Sequence, residues 1–124
     1  MHDDYIVQYN VKISEKRLII QTYNSNEKKE RIIRFDEVLT HSFKCIIDYN
    51  QLLDIAEYDL GSFIADNKST LEELKGYCWP IDYQKEEDLL NYLLSNGYKY
   101  IKVNASFGLF GWILAKSFEI IDLV

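Results

Sequence analysis

The amino-acid sequence predicts an α+β domain: an antiparallel sheet of about five strands, in the order β-β-β, helices, β-β, with the helices packed on one face. Three observations carry this expectation. The first third alternates apolar and polar residues with period two, the signature of a half-buried strand. The middle third holds leucine pairs at helical spacing and carboxylates in what would be first helical turns. The last third returns to long runs rich in β-branched and aromatic residues. Strands and helices grouped in this way, rather than strictly alternating, indicate α+β. With 124 residues, one proline, no linker-like tract and no internal repeat, the chain is read as one domain, residues 1–124.

From Tyr5 to Ile13 the odd positions are apolar or aromatic, with Ile6 breaking the pattern, which predicts a strand with its odd face buried. Ser14-Glu15-Lys16 is a polar turn, and Arg17 to Tyr23 reads as the hairpin partner. Asn24 to Lys28 is the next turn. Glu30 to Phe35 forms a third strand, interrupted at Asp36-Glu37 and resumed from Val38 to Ile47, which calls for a bulge or short turn near Asp36. Leu52, Leu53, Ala56, Leu60, Phe63 and Ile64 fall at helical spacing and predict a helix over 55–66, although Leu53-Asp54-Ile55 also suits a strand. Ser69 with Glu72 and Thr70 with Glu73 match a capping box, so a short helix is expected there, ending by Gly76. A third helix is expected over 83–95, with Asp82 as N-cap, Glu86, Glu87 and Asp88 in its early turns, and Asn96-Gly97 as its stop. Strands over 98–105 and 112–121 then flank a glycine-containing hairpin turn, in which Phe107, Phe110 and Trp112 pack as core, the favoured reading, or serve as hairpin-tip anchors.

Charge is unevenly placed. Residues 48–90 hold eleven acids and three lysines, a net of −8, whereas 1–47 and 91–124 are each +1. A total of −6 argues against a general nucleic-acid binder, which carries a basic stripe. No apolar run approaches the ~20 residues that span a bilayer, and the first residues lack the pattern of a secretory signal. A cytoplasmic location is expected, with Cys45 and Cys78 as buried thiols.

A catalytic motif is absent. His2 stands near the terminus, and His41 would lie about 13 Å along a strand from Glu37, so it is read as structural. Cys45, Cys78 and His41 lack metal-ligand spacing, and no metal or cofactor is expected. Adjacent carboxylates on a helix point in different directions and do not make an acid–base dyad. Interleaved acids and aromatics in the middle third instead fit a partner-binding face, with Tyr58, Trp79 and Tyr83 as anchors and Asp54, Glu57, Asp59, Glu86, Glu87 and Asp88 as steering charges. Solvated helix faces account for the same acids without any partner.

The segments Gly76-Tyr77-Cys78-Trp79-Pro80, the leucine helix closing at Gly97, Tyr98 to Val103, and Gly108 to Ile113 resemble small uncharacterised bacterial proteins. Phe35-Asp36-Glu37-Val38 followed by Phe43 is loosely similar as well. Some of these proteins resemble immunity proteins encoded beside polymorphic or contact-dependent toxins. The resemblance covers most of the chain, through structural motifs alone. It implies a non-enzymatic inhibitor that binds and masks a cognate protein toxin. Charge and hydropathy argue separately against nucleic-acid and membrane partners, and the oligomeric state, a monomer among the options, is open. Two other classes stay open. One is a ligand-binding or enzymatic domain with a tyrosine-lined pocket. The other is an oligomerisation module that uses the apolar C-terminal strand.

Overall fold

The computed structural model describes residues 3–123; His2 lies outside them. Six strands and three helices follow in the order β1 (Asp4–Lys12), β2 (Arg17–Asn24), β3 (Lys29–Lys44), β4 (Gln51–Tyr58), α1 (Leu60–Asp66), α2 (Lys68–Leu74), α3 (Glu86–Ser95), β5 (Lys99–Phe107) and β6 (Phe110–Leu123). Every strand pair is antiparallel, and the sheet closes into a barrel in the order β1-β2-β3-β6-β5-β4.

This corrects the expected architecture. The molecule is a closed six-stranded barrel, 53% strand and 22% helix, and not an open sheet of about five strands carrying helices. The missing strand is β4. Its inward residues Leu52 and Ile55 are three apart because the register shifts between Leu52 and Asp54. A bulged strand thus copies the i, i+3 spacing of a helix. β1 shows the same effect. Asp4 and Ile6 point inward, the register shifts between Ile6 and Gln8, and Tyr9 and Val11 then face the core. The odd-face expectation therefore fails before the bulge, and Val7 and Ile13 are exposed.

β3 is one 16-residue strand that bends where an interruption was expected. Glu37 has a φ of 54°, and the register against β6 shifts between Val38 and Thr40. One half of β3 pairs with β2, and its whole length pairs with β6. The barrel interior is filled by Leu18, Ile20, Ile33, Phe35, Leu52, Ile101, Val103, Leu109 and Ile113, all essentially inaccessible. Burying each such side chain contributes about 1.5–3 kcal/mol.

A second apolar cluster lies outside the barrel wall. Alternation on β5 and β6 sends Ile101 and Ile113 inward and Tyr100 and Leu114 outward. Leu60 and Phe63 of α1, Leu71 of α2, Trp79, and Leu89 and Leu93 of α3 cover that outer face. α3 starts at Glu86, after Lys85, and the segment 83–85 precedes it without being helical. α2 starts after Asn67, with no side-chain cap from Ser69 or Thr70. Gly97, at a φ of 75°, ends α3 with the Tyr98 amide donating to the Leu93 carbonyl at 3.0 Å.

The barrel's last junction is narrow. β1 and β4 pair only at Tyr5 and Gln51, beside a 2.8 Å bond from the Ile6 amide to the Asn50 carbonyl. Asn50 holds that end together. Its Oδ1 accepts from the Leu109 amide at 2.8 Å and the Ile47 amide at 3.3 Å, and its Nδ2 donates to the Ile47 carbonyl at 2.6 Å. Gly108 (φ 84°) must be glycine here, since a Cβ would collide with Asn50 Oδ1 and the Tyr49 carbonyl. Phe107 and Phe110 at this hairpin are exposed and Trp112 is half-buried, so the expected core placement holds for none of the three in full. Cys45 and Cys78 are exposed free thiols, not buried ones.

Candidate functional site

The residues singled out from the sequence fall into two groups. The first sits on the outward face of β4 and β5. Bulge-shifted alternation puts Asp54 and Tyr58 opposite Asn104 and Tyr100. Asn104 Nδ2 donates to Asp54 Oδ1 at 2.7 Å and to Tyr58 Oη at 3.3 Å. Beside them Lys102 Nζ lies 4.6 Å from the Tyr58 ring centroid and 3.1 Å from Asp66 Oδ2 at the end of α1. Tyr100 Oη donates to the same Asp66 oxygen at 3.1 Å. Partial burial works against the Lys102 charge, but the Asp66 hydrogen bond and the neighbouring phenols outweigh it and hold its pKa above the usual lysine range. Burial first, and the bond to Asp66 second, push the Tyr100 phenol up. Asp66, Tyr100, Lys102 and Asn104, but not Asp54 or Tyr58, border an open cleft of about 280 Å³ that also includes Ser42, Lys44, Phe110 and Trp112. Glu57 stands at the barrel rim, 3.8 Å from Lys99. Asp59 is the residue before α1, and its carbonyl accepts from the Ser62 amide at 3.0 Å.

The second group surrounds the start of α3. Tyr83 Oη donates to the Leu71 carbonyl at 3.4 Å, and Lys75 Nζ lies 4.9 Å from the Tyr83 ring. Burial, then the charges of Glu86 and Glu72, raise the Tyr83 phenol. Asp88 accepts from the Lys85 amide at 3.3 Å, which gives it a capping duty independent of any partner. Glu87 is exposed. Among the described residues no hydrogen bond or ion pair joins this group to the β4–β5 group.

Trp79 is not a surface anchor. It is 9% exposed, and its ring stacks on Phe63 at 6.0 Å, within the outer apolar cluster. The exposed aromatic beside it is Tyr77, at 75%. Sequence patterning placed the tryptophan on the wrong side because the segment 75–85 is irregular and carries no period to read.

The charge distribution resolves further in three dimensions. Residues 59–97, the helical connection between β4 and β5, hold eight acids and three lysines, a net of −5. Seven of these carboxylates are exposed, and Glu86 is half-exposed.

Two arrangements escaped the sequence. Asp4, fully buried, accepts from Thr22 Oγ1 (2.7 Å), Asn24 Nδ2 (3.0 Å) and Arg31 Nη1 (2.6 Å). Arg31 also binds Glu27 at 2.8 Å and Asp122 at 3.0 Å. The signal was present in Thr22 and Asn24, which continue the inward parity of Leu18 and Ile20. The other is a cleft of about 480 Å³ where the β1–β2 hairpin meets the bend of β3. Lys12, Lys16 and Arg17 line it with Val11, Ile13, Val38, Leu39, Thr40, His41, Pro80 and Tyr98. His41 rests on Phe43, with ring centroids 5.2 Å apart, and burial lowers its pKa, so it is neutral near pH 7. The basic residues around the first turn were legible, but their convergence on the β3 bend was not.

Among the described residues no three His, Cys, Asp or Glu side chains are placed to hold a metal ion, and no helix is long and apolar enough to cross a membrane. No family model, no curated protein and no solved structure matches the chain.

Proposed function

We propose that the chain is a non-enzymatic protein-binding domain whose helical face captures a basic partner. The observation that carries this reading is the segregation of charge: a net of −5 on residues 59–97, borne almost wholly by exposed carboxylates. The same segment exposes Tyr77, Tyr92 and Leu94. Aromatic and apolar side chains give contact area, and the surrounding carboxylates speed encounter with a cationic surface. Tyr77 takes the anchoring role that Trp79 loses by being buried, while Tyr58 precedes the acidic segment and Tyr83 lies within it. The resemblance to immunity proteins names the partner class as a protein toxin, and a nuclease toxin, with its basic cleft, suits this charge.

The test is capture from native lysate and co-expression with the product of an adjacent reading frame. Wild-type protein is expected to retain the partner and to restore growth of cells that make it. Reversing Glu86, Glu87 and Asp88 to lysine is expected to slow association by about tenfold at low salt, with the difference shrinking as salt rises. An unchanged rate with no salt dependence sinks the α3 face as the contact.

A further inference from the structure

The cleft at the β1–β2 hairpin has chemistry opposite to that of the helical face. Acids outnumber bases 20 to 14 in the chain, yet none of the residues lining this cleft is an Asp or Glu, and three are basic. Its floor is apolar, made by Val11 and Val38 at the barrel's edge, Leu39 at the bulge, and the faces of Pro80 and Tyr98. Carboxylates do stand nearby: Asp36 holds Arg17 through Nε at 2.9 Å, Glu15 lies 3.8 Å from Lys12, and Glu37 acts on Tyr98 by its charge. Lys116 sits 5.3 Å from the Tyr98 ring on the same side. Among the described residues the Lys16 ammonium has no carboxylate within 4 Å. Lys16 is also fixed in place. Its backbone adopts a φ of 54°, its amide donates to the Ile13 carbonyl at 3.1 Å, and its carbonyl accepts from the Val38 amide at 2.8 Å.

We propose that this cleft binds an amphipathic organic anion, a carboxylate on an apolar chain or ring, with the carboxylate between Lys16 and Arg17 and the apolar body on Val11, Val38, Leu39 and Tyr98. A volume of about 480 Å³ falls in the range of small-molecule sites. The ligand's carboxylate gives Lys16 the counter-charge it lacks, and the apolar lining removes the rest of the ligand from water. Neutral His41 and the Thr40 hydroxyl supply hydrogen-bonding groups without adding charge. This proposal is independent of the protein-binding reading, since its residues lie outside 59–97 apart from Pro80.

Titration with decanoate, decanol and acetate, followed by the amide and ring signals of Thr40, His41 and Tyr98, tests both halves of the idea. Decanoate is expected to shift those signals saturably, with decanol and acetate each at least about tenfold weaker. Lys16→Glu is expected to weaken decanoate by about tenfold or more. Lys16→Asn, which tolerates the left-handed backbone, is expected to weaken it less while leaving thermal stability unchanged. Equal binding of decanoate and decanol overturns the proposal, as does decanoate affinity that is indifferent to Lys16→Glu, or an absence of saturable shifts at this cleft.

Discussion

Asp4 ties β1 to β2 and β3, and through Arg31 and Asp122 to β6, and makes stability depend on pH. Burial opposes its charge, but bonds from Thr22, Arg31 and Asn24 outweigh that and hold its carboxyl below the ordinary value of 3.8. As pH falls, the unfolded chain therefore takes up the proton first. The stabilisation is complete above about pH 5 and is lost as pH drops through the lowered folded value. Asp36, lowered chiefly by its hydrogen bond from Arg17, adds a slope of the same sign. Asp4→Asn is expected to cost about 3 kcal/mol at pH 7, because it leaves Arg31 without its buried partner. The gap between variant and wild type in urea unfolding is expected to narrow towards pH 3. A gap of the same size at both pH values means that the Asp4 charge is not what matters. Asn50 works at the same end of β1, where its carbonyl accepts from the Ile6 amide at 2.8 Å. Asn50→Ala leaves the buried Leu109 amide without an acceptor and is expected to cost about 2 kcal/mol by the same measurement. Gly108→Ala meets both a collision and a positive φ, and is expected to cost more than about 1 kcal/mol.

Among the elements, β1 and β4 are the weak joint of the barrel. Each is fully paired on one side, β1 with β2 and β4 with β5, but they meet each other only near Tyr5 and Gln51. Hydrogen exchange is expected to show this directly: amides of β4 that face β1 should exchange at least about tenfold faster than those bonded to β5. Uniform protection along β4 would mean that the barrel is closed along its length. The same joint explains what was legible in the sequence. β-Branched and apolar content identified β2 and β6, alternation identified β5, and the Asp36-Glu37 break announced the bend of β3. Bulges defeated the pattern in β4 and in the first residues of β1, because one extra residue turns an alternating face into a helix-like spacing. Closure itself was not legible, since it depends on which edges meet and no local signal encodes that. For the candidate site, the acidic segment could be read directly because charge needs no geometry. Trp79 and the cationic cleft could not, because burial and convergence come from long-range packing.

In the whole molecule, two apolar cores share one wall. β5 and β6 send Ile101 and Ile113 into the barrel and Tyr100 and Leu114 into the helical layer, so neither core can lose its wall without exposing the other. The helical layer packs on that wall and on Leu39 of β3. Its acids face water and are free to meet a partner, while its aromatic side packs Phe63 against Trp79, Tyr100 and Trp112. Both tryptophans thus pack in the outer cluster, Trp79 from the helical connection and Trp112 from β6, whereas most of the backbone belongs to strands. Tryptophan fluorescence and the far-ultraviolet strand signal consequently report different cores. If the shared wall couples them, both signals should move with one midpoint in urea. Phe63→Ala should then lower both midpoints together, by an amount equivalent to about 3–5 kcal/mol. If fluorescence changes first while the strand signal holds, the layer docks as a separate unit on a barrel that stands alone. The acidic face would then be a movable element and not part of a rigid surface, and association with a basic partner would carry the cost of ordering it.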